Sequence, residues 1–219
     1  MKPKMYPNYY DVALIPPEDF QDEVIALSRM LYKYGARWKL GKRAYVPHVT
    51  LFHVPVRKTD MDEFLHTVSD IASECAEQTL RCTAPILGIA DLKSWVSLPL
   101  YKNRWLTALH STVLRRTVRY FDYNHLKIKE RVRKTWSLPL RTQQEERQQM
   151  IQTYGSPMVG RFWNPHVTLG IFLDVDQAQR AYSHLPKRRS SFRANRIAVY
   201  ELGENHTCQR KIAEFPFGG

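Results

Sequence analysis

Cysteine is scarce in this chain. Three residues in 219, Cys75, Cys82 and Cys208, are too few and too scattered for a disulfide framework or a zinc site. Free thiols in a reducing cytoplasm are the expectation. No stretch approaches the roughly 20 consecutive apolar residues of a membrane span. The opening MKPKMYPNYY carries positive charge but no apolar core of a secretory leader, so neither a membrane nor export is expected. The phosphate-binding P-loop, G-x-G-x-x-G, G-x-S-x-G and H-E-x-x-H are all missing. Their absence sets aside the common nucleoside-triphosphate, dinucleotide, serine-hydrolase and zincin chemistries. With no carboxylate or Cys/His cluster at ligand spacing, no metal and no cofactor is expected.

What is present is a globular composition, 43% hydrophobic and 25% charged, in a chain long enough for one large domain or two small lobes. The net charge is +12, and it is unevenly placed. Residues 1–100 carry 12 basic and 12 acidic side chains, residues 101–160 carry 12 and 4, and residues 161–219 carry 9 and 5. The excess gathers at Arg115, Arg116 and Arg119, then at Lys127, Lys129, Arg131, Arg133 and Lys134, and again at Lys187, Arg188, Arg189 and Arg193. Fixed cations in such numbers release counterions from a phosphate backbone, so a polyanion partner is one reading and a merely solvated surface the other.

Tyr9 to Ile15 predicts a strand closed by Pro16-Pro17. Pro17 suits a first helical position, and Phe20, Val24, Leu27, Leu31 and Tyr34 then recur at helical spacing up to Gly35, a candidate C′ residue. Residues 44–54 predict a second strand. Thr59-Asp60 offers a helix cap before an apolar face of Phe64, Leu65, Val68, Ile71, Ala72 and Cys75. Residues 80–98 predict one or two strands, and 101–121 a helix facing inward through Trp105, Leu109 and Val113. Residues 122–155 are polar and basic and predict a helical excursion packed lightly on the body. A strand at 165–173, a helix at 176–185 and strands near 192–202 and 208–215 complete the chain. Helices alternating with strands in both halves predict a mixed α/β or α+β architecture.

One internal repeat stands out. Pro47-His48-Val49-Thr50-Leu51 and Pro165-His166-Val167-Thr168-Leu169 are the same pentapeptide, 118 residues apart; by composition such an identity arises by accident about once in fifty chains, so a duplicated unit is the better explanation. On a strand, His48 and Thr50 share one face and Val49 and Leu51 the other, and the second copy repeats the pattern. Each copy therefore offers an imidazole and a hydroxyl about 6–7 Å apart. Two such pairs face to face suit a phosphodiester. One imidazole takes a proton from the attacking oxygen and the other gives one to the leaving oxygen. The hydroxyls donate to the non-bridging oxygens, where charge develops. By the same parity His53 is expected to point away from the groove.

The paired H-x-T-hydrophobic motifs resemble those of the 2H phosphoesterase superfamily, particularly its 2′,5′ RNA ligase-like, cyclic phosphodiesterase branch. The resemblance spans most of the chain. It implies an α+β, bilobal fold of two antiparallel sheets with flanking helices, a central groove and pseudo-twofold symmetry, the whole forming a single domain with a basic helical insertion at about 122–155. It makes His48 and His166 the acid/base pair and Thr50 and Thr168 the phosphate ligands, with His166 activating water and His48 protonating the departing ribose oxygen. It implies a monomeric enzyme that opens a 2′,3′-cyclic phosphate of an RNA end or nucleotide to the 2′-phosphate. Turnover of 2′–5′ linked oligonucleotides or cyclic-nucleotide signals, and a non-catalytic RNA- or nucleotide-binding module, stay open beside it.

Relatives carry a basic residue shortly after the second motif, where this chain has Gly170-Ile171-Phe172. Arg161, Lys42 and Arg43 are the nearest replacements in sequence. Tyr45, Phe162 and Trp163 flank the motifs as candidates to stack a base, the alternative being that they pack beneath the strands. His66, His110, His125, His184 and His206 match no motif and are read as structural.

Overall fold

In the computed structural model, which describes residues 5–90, 93–125 and 142–219, the chain opens with strand β1 (Met5–Leu14) and helix α1 (Glu18–Lys33). Phe20, Val24, Ile25 and Leu31 give α1 its buried face. Pro17 stands at its N-cap, and Gly35, at φ 94°, ends it by turning the Ala36 N–H back to the Leu31 carbonyl at 3.2 Å. After β2 (Val49–Pro55) comes α2 (Met61–Ser73). Asp60 occupies its N-cap position without capping it, because the carboxylate binds the Arg57 Nε–H (2.7 Å) and the Thr59 hydroxyl (2.8 Å) instead. Residues 80–98 hold more than the two strands expected: β3 (Gln78–Cys82), β4 (Ile86–Ala90) and β5 (Lys93–Pro99).

Helix α3 (Arg104–Thr117) is capped by Asn103, whose Oδ1 accepts the Leu106 N–H at 2.7 Å. Helix α4 (Thr142–Tyr154) is polar and touches the core through Ile151, Met150 and Tyr154; the rest of the expected excursion, residues 126–141, lies outside the described residues. Then follow β6 (His166–Phe172), α5 (Val175–Ser183), β7 (Ser190–Ala194), β8 (Arg196–Gly203) and β9 (Cys208–Pro216). The strand expected near 192–202 is thus two, parted at Asn195.

All described strand pairs are antiparallel, in sheets of order β2-β1-β8-β9, β4-β5-β6 and β3-β7. The order exposes a duplication much larger than the pentapeptide. The run β1-α1-β2-α2-β3-β4 is repeated as β5-α3-β6-α5-β7-β8, and the copies exchange parts. β8 of the second copy pairs with β1, β4 of the first pairs with β5, and β3 pairs with β7 across the pseudo-twofold. α1 packs on β6 and α3 on β2, so each motif strand is backed by the other copy's helix. Strands β2 and β6 are the edges of their sheets and touch one another.

Both edge strands carry a bulge at the same place. Val12 pairs with Phe52 and Ala13 with Thr50, leaving Leu51 extra; Val96 pairs with Gly170 and Ser97 with Thr168, leaving Leu169 extra. The carbonyl of Leu51 is taken by His110 Nδ1–H on α3 (2.8 Å), and that of Thr50 by the Trp163 indole N–H (3.0 Å). The two rings stack with centroids 4.2 Å apart and planes 2° apart. His110 Nε2 in turn accepts the Gly160 N–H at 3.0 Å, presented by a left-handed backbone (φ 57°) that suits glycine. A carbonyl on one nitrogen and an N–H on the other fix His110 as the neutral Nδ1–H tautomer. This clamp ties the first motif strand to the segment leading into the second.

Burial lowers the His110 pKa from its ordinary 6.5 to about 4, against the opposing pull of the Leu51 carbonyl and with help from Lys102. Folding therefore excludes a proton that the unfolded chain binds, so this group's stabilisation is full above pH 6.5 and drains away as the pH falls toward 4, by roughly 3 kcal/mol in all. His110→Gln cannot titrate. It is expected to lower stability by about 1–3 kcal/mol at pH 7.5, with the two stability curves converging by pH 4.5 in urea unfolding. Parallel curves would show that His110 is not the group responsible.

Candidate active site

Each copy of the pentapeptide holds its histidine in the same way. His48 Nδ1 lies 2.6 Å from the carbonyl of Val46, and His166 Nδ1 lies 2.8 Å from that of Asn164, in both cases two residues earlier. The intervening Pro47 and Pro165 are buried and keep the residue before them extended, which turns its carbonyl toward the ring. A carbonyl can only accept, so Nδ1 carries the proton and Nε2 is left for chemistry. His48, Thr50, His166 and Thr168 are all half-buried, while Val49, Leu51, Val167 and Leu169 between them are buried. Burial lowers the His166 pKa; the Asn164 carbonyl opposes this, and the imidazoles of His48 and His53 add to it. His166 thus lies within electrostatic reach of both His48 and His53.

His53 does not point away, as parity had implied. The bulge at Leu51 shifts the alternation by one residue, so His53 returns to the face of Thr50, with Nε2 3.4 Å from Thr50 Oγ1. At the matching place in the second copy stands Ile171.

The pair is asymmetric beneath the surface. Asp11, on β1 and wholly buried, faces His53 in register. Its Oδ2 accepts the Thr50 hydroxyl at 2.8 Å and lies 3.4 Å from His48 Nε2 and 3.5 Å from His53 Nε2. Cys208 Sγ–H points to the same oxygen at 3.8 Å; burial first, then the carboxylate, pushes that thiol's pKa well above its ordinary value. The residue matching Asp11 beside the second motif is Trp95, paired with Ile171, and among the described residues no carboxylate lies within ion-pair distance of His166. An acidic residue inside the apolar run Tyr9–Ile15 was a readable signal of this feature. Its partners, 39 and 197 residues away, were not.

The other residues singled out in the sequence are placed differently. Trp163 is buried, its faces given to His110 and packing rather than to a base. Tyr45 is half-buried and stacks on Trp38 at 5.6 Å. Arg161 is exposed and ion-paired to Glu146, Lys42 is exposed and 2.9 Å from Asp22, and Arg43 is exposed. Of the basic clusters, Arg116 binds Glu74 at 2.7 Å, Arg119 binds the Tyr120 hydroxyl at 2.6 Å, and Arg188 binds Glu23 at 2.7 Å. Lys127 to Lys134 lie outside the described residues. The three cysteines are free thiols, and no described helix is long and apolar enough to cross a membrane.

No protein-family model matches the chain, and no curated protein matches it in sequence. Solved structures do. The crystal structure of TT0787 from Thermus thermophilus matches with a TM-score of 0.58 at 11% identity, covering 96% of this chain and 98% of that one. The crystal structure of E. coli LigT complexed with NADP+ matches with a TM-score of 0.50 at 11% identity, covering 100% of both. At such identity the likeness establishes fold and not activity. The chain shares its overall fold, a mixed α/β arrangement of antiparallel sheets and helices, with both structures.

Proposed function

We propose that the chain is a metal-independent phosphodiesterase that opens 2′,3′-cyclic phosphates of RNA ends or nucleotides to 2′-phosphates. The observation that carries this reading is the matched anchoring of two imidazoles through Nδ1, with both Nε2 atoms given to one groove but in unlike surroundings. A nucleotide ligand in the LigT crystal structure, NADP+, agrees with a groove of this fold accepting nucleotides.

In the proposed reaction, neutral His166 takes a proton from water through Nε2 as the water oxygen attacks phosphorus. The bond from phosphorus to O3′ breaks, and O3′ receives the proton held on His48 Nε2. Asp11 Oδ2 lies 3.4 Å from that nitrogen, on the side away from Val46. The His166 surroundings, with two imidazoles and no carboxylate near, suit the base. Thr168 offers its hydroxyl to a non-bridging oxygen. The Thr50 hydroxyl already donates to Asp11, so its part is to hold the carboxylate under His48. His53, 3.4 Å from Thr50 Oγ1, adds a further imidazole beside the first motif, where the second copy has Ile171.

The four nucleoside 2′,3′-cyclic monophosphates, hydrolysed in excess chelator, are expected to give 2′-phosphates. His48→Ala and His166→Ala should each cost at least about 10²–10⁴ in rate. Near-normal turnover in either variant would contradict the two-histidine mechanism. A catalytic base must be neutral, and the His166 pKa lies below the ordinary 6.5. The acid limb of kcat/KM against pH is therefore expected below pH 6.5; a limb above it would assign the base elsewhere.

A further inference from the structure

The floor of the groove holds a second feature that the proposed reaction does not require. Asp11 Oδ2, His48 Nε2 and Cys208 Sγ all lie within 4.8 Å of one another. His53 Nε2 is a fourth donor, 3.5 Å from the carboxylate oxygen. Tetrahedral zinc with bonds of about 2.0 Å to nitrogen and oxygen and 2.3 Å to sulfur sets its ligand atoms about 3.3–3.6 Å apart. The separations from Asp11 Oδ2 are 3.4 Å to His48, 3.5 Å to His53 and 3.8 Å to Cys208. Asp11, His48 and Cys208 already converge, and His53 has to swing toward them from its place beside the carboxylate to supply the fourth corner.

Three further observations point the same way. His48 gives its Nδ1 proton to the Val46 carbonyl, the support that a metal-bound imidazole normally has. The Thr50 hydroxyl steadies the carboxylate from outside. Asp11 is wholly buried, yet its Oδ1 has no hydrogen-bond partner among the described residues. A buried carboxylate with one oxygen left unpartnered favours a cation beside it. The donor set, one thiolate, imidazole nitrogen and one carboxylate oxygen, suits a borderline ion such as zinc rather than magnesium or calcium. His48 and His53 keep 14% and 17% of their side chains exposed, which leaves the ion a path in from the groove.

We infer that Asp11, His48, His53 and Cys208 form a zinc-binding site whose occupation shuts the catalytic centre. Zinc takes the lone pairs of His48 Nε2 and His53 Nε2, and the proton that the proposed reaction holds on His48 Nε2 leaves to solvent together with the Cys208 thiol proton as sulfur becomes a thiolate ligand. His48 Nε2 then has no proton to give O3′, so the metal is an inhibitor and not a cofactor. Binding stands on the geometry alone; its inhibitory consequence rests on the phosphodiesterase reading.

Titration of the full chain with Co²⁺ is expected to give one equivalent of thiolate-to-cobalt charge-transfer absorption with tetrahedral bands, bleached by Zn²⁺. Cys208→Ser should abolish the charge-transfer band and weaken zinc binding at least tenfold, while Cys75→Ser should keep both. The zinc concentration that halves each protein's own rate should rise at least tenfold in Cys208→Ser. No charge-transfer band in the folded native chain, or a band lost with Cys75 and kept without Cys208, would overturn the site. Full activity with zinc bound would overturn the inhibitory role. A cobalt band in a chain that hydrolyses no cyclic phosphate would uphold the site and reject the catalytic reading instead.

Discussion

A hydrogen bond from an imidazole to the backbone carbonyl two residues before it is the contact on which the site depends. Made once it would be an ordinary detail of a histidine at a strand end. Made twice, at Val46 and Asn164, it fixes both rings in one tautomer and leaves both Nε2 atoms to the groove. The proline between carbonyl and histidine makes it local, so five residues suffice to write it. Everything larger in the fold serves to bring the two copies together: the exchange of β4 and β8 between lobes, the crossing of α1 and α3 onto the opposite motif strand, and the His110–Trp163 stack that bridges β2 to the approach of β6.

Symmetry alone would give two equal histidines, and acid/base chemistry needs unequal ones. The inequality comes from beneath. The first lobe has Asp11 and His53 paired across β1 and β2, and the second has Trp95 and Ile171 at the matching register. A buried carboxylate thus lies beside one imidazole, while an apolar pair stands at the matching register of the other copy. The same carboxylate gathers Cys208 and Thr50, so the polar side chains of the first lobe converge on one buried oxygen.

The sequence made the motif strands legible because their information is local. A repeated pentapeptide with period-two alternation states both the strand and the face, and the α1 boundaries follow from Pro17 and Gly35. The bulge was not legible, since Leu51 becomes the extra residue only through its register with β1; one shifted residue carried His53 to the face of Thr50. His110 was read as structural, and its part in joining the lobes depends on Leu51, Gly160 and Trp163, which meet only in the folded chain. The three cysteines read as too few and too scattered for a metal site; that Cys208 meets Asp11, 197 residues away, follows only from β1 and the start of β9 coming together across β8. The basic clusters left a polyanion surface and a merely solvated one both open; in the fold Arg116, Arg119 and Arg188 pair with Glu74, the Tyr120 hydroxyl and Glu23.

The tautomers of the two motif histidines decide whether the site is built in this way. Long-range ¹H–¹⁵N correlation spectra of the ¹⁵N-histidine-labelled chain, assigned with His48→Gln and His166→Gln, read them directly. At a pH where each ring is neutral, both should show a protonated Nδ1 and a pyridine-like Nε2, the reverse of the form usual for free histidine. A protonated Nε2 on either neutral ring would mean that its backbone anchor is not made, and would contradict the paired presentation on which the proposed chemistry rests.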